Sequence, residues 1–223
     1  MKLLIVVPCY NEALSISDTV LQISSHGYDY CVVDDGSTDE TVSILTELDA
    51  NFIQHEVNRG QGVELRTGFE IAKSKDYEVI IHFDGDGQHN VNDIKKIVDH
   101  LKGTNADIVL GSRFLGAKGN SIPRVKRVLL QLARYFEFLR TGILLSDAHC
   151  GLRALRISTC RNMNLKANRM AHASEILSEV KRLKLRYSEV AVNINYDIPK
   201  KQESSLKRIF SVMRELIFLS NSK

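Results

Sequence analysis

Asp84-Gly85-Asp86-Gly87-Gln88-His89 puts two carboxylates one residue apart in a stretch with two glycines. Carboxylates this close repel unless a cation lies between them or one is protonated. Hard oxygen ligands suit Mg2+ or Mn2+, ions that also bind diphosphate oxygens. Gly85 and Gly87 allow tight turning and close ligand approach, and Gln88 and His89 offer a further ligand or hydrogen bond. The competing reading is an Asp-Gly turn with both carboxylates solvated. A second acidic stretch, Asp34-Asp35-Gly36-Ser37-Thr38-Asp39, offers a carboxylate to ribose hydroxyls or a base N–H. It also reads as a turn whose Ser37 or Thr38 caps the next helix. Both uses are compatible, with Asp34 toward a ligand and Ser37 toward the helix.

The elements around these stretches give them a common place. Apolar runs predict strands over 3–7, 30–33, 51–55, 79–83 and 108–111. Between them, helical spacing and turn residues predict helices over 11–24, 40–48, 63–74 and 91–101. Alternation of this kind implies a mostly parallel α/β sheet with helices on both faces. Ligands bind such sheets beyond the carboxyl ends of the strands. Asp34-Asp35 and Asp84-Asp86 both follow a strand directly, so both are expected on that rim.

The second half has a different character. Residues 1–112 carry 8 Lys and Arg against 19 Asp and Glu, and residues 113–223 carry 22 against 8, within a net charge of +3. Such a split points to a cation site in the first half and an anionic partner for the second; solvated surface charge that happens to segregate gives the same pattern. A helix is predicted over 123–139, with Arg124 and Arg127 three residues apart on one face. It reads either as an interfacial helix on an anionic membrane or as a packed helix with solvated arginines. A helix over 172–184 and a strand over 187–196 follow. The basic, apolar tail 206–223 reads as an amphipathic helix for packing, dimer or membrane contact, after a domain over 1–205. Cys9, Cys31, Cys150 and Cys160 form no CxxC pair, so thiols in a reducing cytosol are expected. The first seven residues are too short for a signal peptide. No run approaches the roughly 18 apolar residues of a membrane span. Aromatic residues are not interleaved with the basic clusters, which argues against nucleic-acid binding.

Six ordered motifs carry a resemblance. They are Val7-Pro8-Cys9-Tyr10-Asn11-Glu12, Val32 to Asp39, Asn58-Arg59-Gly60-Gln61-Gly62, His82 to His89, Gly111-Ser112-Arg113-Phe114, and Asp147-Ala148-His149-Cys150-Gly151-Leu152-Arg153. Together they resemble the family-2 glycosyltransferases, in the dolichyl-phosphate mannosyltransferase-like branch. The likeness runs from about residue 3 to residue 205, and Gln61 stands where the branch usually has Lys. It implies a GT-A fold, a UDP-sugar or GDP-sugar donor, Mg2+ or Mn2+, and inversion at the anomeric carbon. Carried over by position, it implies that Pro8, Tyr10, Glu12, Asp35 and Asp84 contact the nucleotide sugar. Asp84, Asp86 and Gln88 would hold the metal.

The same resemblance makes Asp147 the candidate base and Arg113 a catalytic or acceptor-phosphate residue. An alcohol acceptor needs a general base, whereas a phosphate acceptor is already anionic and needs cations. For those, Arg113, Arg124 and Arg127 are the first candidates, and Lys200 and Lys201 the next. The expected activity is sugar transfer to a polyprenyl phosphate at the cytosolic membrane face, by a protein in peripheral contact with that membrane. The alternative is transfer to a hydroxyl of a growing glycan or lipid-linked oligosaccharide. A homodimer is a further expected partner arrangement.

Overall fold

The computed structural model describes residues 1–116 and 122–196. The tail 206–223, with its expected packing, dimer or membrane contact, lies outside the described residues, as do Lys200 and Lys201.

The chain alternates β1 (Leu3–Cys9), α1 (Ile16–Ser25), β2 (Tyr30–Asp34), α2 (Thr41–Glu47), β3 (Phe52–Gln54), α3 (Gln61–Ser74), β4 (Val79–His82), α4 (Asn92–Gly103) and β5 (Ile108–Ser112). Then come α5 (Arg124–Thr141), β6 (Arg153–Arg156), α6 (Ile157–Cys160), α7 (His172–Arg182) and β7 (Tyr187–Ala191). One seven-stranded sheet has the order β3-β2-β1-β4-β6-β5-β7. All its pairings are parallel except those of β6, which runs antiparallel to both β4 and β5.

Alternating side chains of the strands feed two cores. Ile5, Val7 and Cys9 of β1 pack with Ile16, Val20 and Ile23 of α1 and Ile94, Ile97 and Leu101 of α4. Leu4 and Val6 face the other way, toward Leu65, Phe69 and Ala72 of α3 and Ile176, Leu177 and Val180 of α7. Both faces are therefore covered, which explains why β1 and β4 are apolar throughout rather than alternating. The mostly parallel α/β sheet read from the sequence is present.

Three local expectations are corrected. The first helix begins at Ile16 rather than 11, because Asn11 adopts a left-handed φ of 56°. Its side-chain Oδ1 accepts the N–H groups of Thr38 and Asp39, locking this loop to the one after β2. Ser37 does not cap α2: its hydroxyl bonds the Asp34 carboxylate, and its N–H donates to the same group at 3.0 Å. The last strand stops at Ala191, and Ile194 instead bridges to His89.

β6 is the element that the sequence pattern does not announce. Its four residues place Ala154 in one core and Leu155 in the other. The flanking Arg153 is buried, and Arg156 donates to the carbonyls of Ala106 and Leu101 at 3.0 Å. A short run with charges at both ends shows neither an apolar stretch nor a clear alternation.

Candidate active site

Register fixes the rim. Cys9 pairs with Asp34 across β1 and β2, and Val6 pairs with His82 across β1 and β4. The ends of these three strands therefore lie side by side, with the acidic stretches just beyond them.

The carboxylates of the rim are spent in different ways. Asp34 is fully buried and is closed by Ser37. Asp35 is also fully buried. It accepts from the N–H groups of Arg59 at 2.8 Å and Gly60 at 2.5 Å, and lies 2.8 Å from His55 Nδ1. Oδ2 of Asp35, a residue expected to contact the nucleotide, thus holds the 58–62 loop, and Oδ1 meets His55. Asp34, also read as a ligand contact, bonds Ser37 of its own loop. Gly60, at a φ of 98°, starts α3, and a Cβ on Gly62 would overlap the Ala167 carbonyl oxygen. The loop can lie this close only because these positions are glycine. Glu64, behind it, accepts the Cys9 N–H at 2.6 Å. Burial, and then the neighbouring Asp35, push its carboxyl well above the usual carboxylate range.

Asp84 differs from these groups because 26% of its side chain stays exposed. Gln61 Nε2 donates to its Oδ1 at 3.1 Å, and His89 Nε2 lies 3.4 Å from its Oδ2. Gly151 passes so close that a Cβ there would overlap the carboxylate. Asp86 is 7% exposed and accepts the Gln88 N–H at 3.0 Å, while Gly87 turns at a φ of 72°. Among the described residues no three His, Cys, Asp or Glu side chains converge into a complete metal cage. The donor set still fits Mg2+ or Mn2+, since such ions are commonly held by one or two carboxylates and complete their shell with phosphate oxygens and water.

Of the expected nucleotide contacts, Pro8 is buried, and its carbonyl accepts the Gly85 N–H at 3.3 Å. Tyr10 is 42% exposed at the rim. Glu12 is half-buried, its Oε2 3.3 Å from the Ser15 hydroxyl. Arg124 and Arg127 stand exposed on the first turn of α5.

Arg113 and Asp147 form a buried ion pair. Arg113 Nε and Nη2 donate to the two oxygens of Asp147 at 2.5 and 2.7 Å, and its backbone N–H adds a third bond at 3.1 Å. The His149 N–H donates to the same carboxylate at 3.2 Å. Burial works to raise the Asp147 carboxyl, but the hydrogen bonds and charge of Arg113 prevail and hold it below the usual range. A carboxylate so stabilised as an anion is a poor proton acceptor. Asp147, the expected base, and Arg113, the expected catalytic or acceptor-phosphate residue, thus engage each other. Sequence reading also passed over Gly151, Arg153 and His172. Only the motif ending at Arg153 signalled any of them, and it gave no role.

Known proteins with this build can now be compared. Glucosyl-3-phosphoglycerate synthase from Mycobacterium tuberculosis, in complex with Mn2+ and uridine-diphosphate-glucose, superposes with a TM-score of 0.73 at 17% identity. The overlap covers 97% of this chain and 76% of that one. The fold is thus that of the GT-A glycosyltransferases, with the acidic rim at its strand ends. Residues 4–163 match the sequence profile described as "Glycosyl transferase family 2", and the chain belongs to that family. It is 32% identical over 199 residues to the uncharacterized protein MJ1222 of Methanocaldococcus jannaschii, covering 87% of this chain and 82% of that protein. It is 31% identical over 213 residues to the UDP-N-acetylglucosamine–dolichyl-phosphate N-acetylglucosaminyltransferase of Methanococcus voltae, covering 86% and 85%. Identity to the polyprenol monophosphomannose synthase of Mycolicibacterium smegmatis is 27% over 175 residues, covering 74% and 66%.

Asp147→Asn should act on stability first. It leaves the Arg113 guanidinium buried without its anion, which costs about 3–5 kcal/mol. At roughly 2–4 °C per kcal/mol for a chain of this size, thermal unfolding should fall by about 10 °C. The Asp147 carboxyl is lowered in the fold, so its contribution is present above the ordinary carboxylate pKa and lost as pH falls through the folded value. The native chain should therefore lose this increment only on the acid side, and the variant should lack it at neutral pH. An unchanged melting temperature at pH 7 would contradict the ion-pair account.

Proposed function

We propose that this chain is an inverting glycosyltransferase that moves a sugar from a UDP-sugar or GDP-sugar to a polyprenyl phosphate at the cytosolic face of a membrane. The observation that carries the reading is the closed Arg113–Asp147 pair. With Asp147 spent on an arginine, the site favours an acceptor that arrives already ionised. A phosphate does so near neutral pH, and a sugar hydroxyl does not. The relatives named for dolichyl phosphate and polyprenol lend the same support.

In this reading Pro8, Tyr10 and Glu12 bound the nucleotide. Asp84, Asp86 and Gln88 hold Mg2+ or Mn2+, which would supply positive charge to the departing diphosphate. An acceptor phosphate oxygen attacks the anomeric carbon from the face opposite the diphosphate. The carbon–oxygen bond to the diphosphate breaks, and the leaving group takes the electron pair. Gln61 donates to the Asp84 carboxylate, and the missing side chain of Gly151 leaves room for it.

Helix α5 supplies the side from which a lipid would come. Val125, Val128, Leu132, Tyr135 and Leu139 recur at intervals of three and four residues, and each is more than half exposed. The helix buries only Glu137 and Thr141. An apolar stripe flanked by Arg124 and Arg127 suits a helix lying in an anionic lipid surface. No helix among the described residues is long and apolar enough to cross a membrane, so contact of this kind would be peripheral.

Incubation with UDP- and GDP-sugars and a short polyprenyl phosphate should yield a product with the sugar on phosphate. Transfer only to saccharide hydroxyls would replace this reading with synthesis of a glycan or lipid-linked oligosaccharide. Changing Arg124 and Arg127 together to Ala should weaken binding to anionic liposomes by about tenfold or more, given about 1 kcal/mol per basic residue at such a surface. Unchanged liposome binding would remove α5 from the membrane contact.

A further inference from the structure

Asp86 stands between two glycines, and the backbone on its two sides is held differently. Gly85 is tied to neighbouring elements: its N–H donates to the Pro8 carbonyl at 3.3 Å, and its carbonyl accepts the Ser15 hydroxyl at 2.9 Å. Gly87, at a φ of 72°, is a permissive turn. Beyond that turn, the Gln88 N–H donates to Asp86 Oδ1 at 3.0 Å and so orients the carboxylate.

The Gln88 peptide is itself held from outside, by the segment that follows β7. Its carbonyl accepts the Asn195 N–H at 2.9 Å, and Ile194 bridges to His89 beside it. This segment is anchored in turn. The Val192 N–H donates to the Ser112 carbonyl at 3.0 Å, continuing the pairing of β7 with β5. The Asn193 N–H donates to Asp93 Oδ2 at 2.7 Å.

Asp93 is the unusual member of this series. It lies in the first turn of α4, where an aspartate is ordinarily solvated and acts on the helix dipole alone. Here it is fully buried. Its Oδ1 meets Lys96 Nζ at 2.5 Å, but Lys96 is half exposed, and an ion pair three residues apart on a helix surface needs no burial. Burial of a carboxylate is unfavourable unless it is hydrogen-bonded. The bond to Asn193 meets that need, and it closes a ring. The ring runs from Asp86 to the Gln88 peptide, to Asn195, back along the segment to Asn193, and into Asp93.

We infer that Asp93 is a positioning residue for the cation centre: by pinning the 193–195 segment, it fixes the Gln88 peptide and, through it, the Asp86 carboxylate. This rests on the reading of Asp86 as a cation ligand. Without the pin, the Gly87 turn leaves the far side of Asp86 free to move, and the carboxylate is presented to a cation in many orientations instead of one.

The test is Mn2+ affinity in the presence of UDP or GDP, read from the loss of the free-ion signal in electron paramagnetic resonance. Asp93→Ala removes the acceptor and should weaken binding by about tenfold or more, the usual consequence of removing an outer support from a metal ligand. Asp93→Asn keeps a carbonyl oxygen for the Asn193 N–H and should bind as the native chain does. Lys96→Gln removes only the exposed partner and should do the same. A residue that merely stabilised the fold would lower the melting temperature of Asp93→Ala and leave the Mn2+ affinity of the folded chain, checked by circular dichroism, unchanged. Native affinity in folded Asp93→Ala would therefore overturn the inference, as would equal weakening in Asp93→Asn. Should Asp93→Ala not fold, Asn195→Pro opens the ring at its other end, at an exposed position and with Asp93 intact, by removing the N–H that meets Gln88. It should weaken Mn2+ binding to the same degree, and native affinity there would also overturn the inference. Asp86→Ala separates the two layers. If it abolishes Mn2+ binding while Asp93→Ala binds normally, only the role of Asp93 fails. If Asp86→Ala binds Mn2+ as the native chain does, the cation reading itself fails.

Discussion

Desolvation of carboxylates is the constraint around which this molecule is arranged. A buried carboxylate must find hydrogen bonds or a cation, or else give up its charge. Asp34 takes the first course with Ser37, and Asp35 with the backbone of the 58–62 loop and His55. Asp147 takes the second with Arg113, and Glu64 is pushed toward the third by burial. These solutions fix the loops that frame the rim. Among Asp34, Asp35, Asp84 and Asp86, Asp84 keeps a substantial opening to solvent.

The parallel register converts this local chemistry into a site. Because β1 lies between β2 and β4, the loops after all three strands meet at one edge. The 58–62 loop then reaches across, and Gln61 meets Asp84. From the far side of the sheet, the 147–152 segment brings Gly151 against the same carboxylate. Antiparallel β6 is what makes that approach possible, since its first residue lies at the rim beside the end of β4.

Much of this was legible in the sequence, for identifiable reasons. The strands that bury both faces appear as plain apolar runs, and the acidic stretches directly after them mark the rim. Motif resemblance supplied the family and the expected roles. What was not legible depends on distant partners. Arg113 and Asp147 are 34 positions apart, and nothing local reveals that each cancels the other. Asp35 looked available because two of its partners, the N–H groups of Arg59 and Gly60, are backbone and leave no compositional trace, and the third, His55, lies 20 positions away. β6 escaped because its packing uses one small and one larger residue between two arginines. The opposed charges of the two halves map onto different places: the acidic half builds the rim, and the basic half carries the exposed arginines of α5.

The central claim is that Asp84 and Asp86 form the diphosphate and cation centre. The most direct measurement is a crystal structure of the chain with Mn2+ and UDP or GDP, using the anomalous signal of manganese to locate the ion. The account predicts a peak within coordination distance of the Asp84 and Asp86 carboxylates, with diphosphate oxygens completing its shell. A well-ordered nucleotide with manganese bound elsewhere, or with neither aspartate near it, would contradict the account.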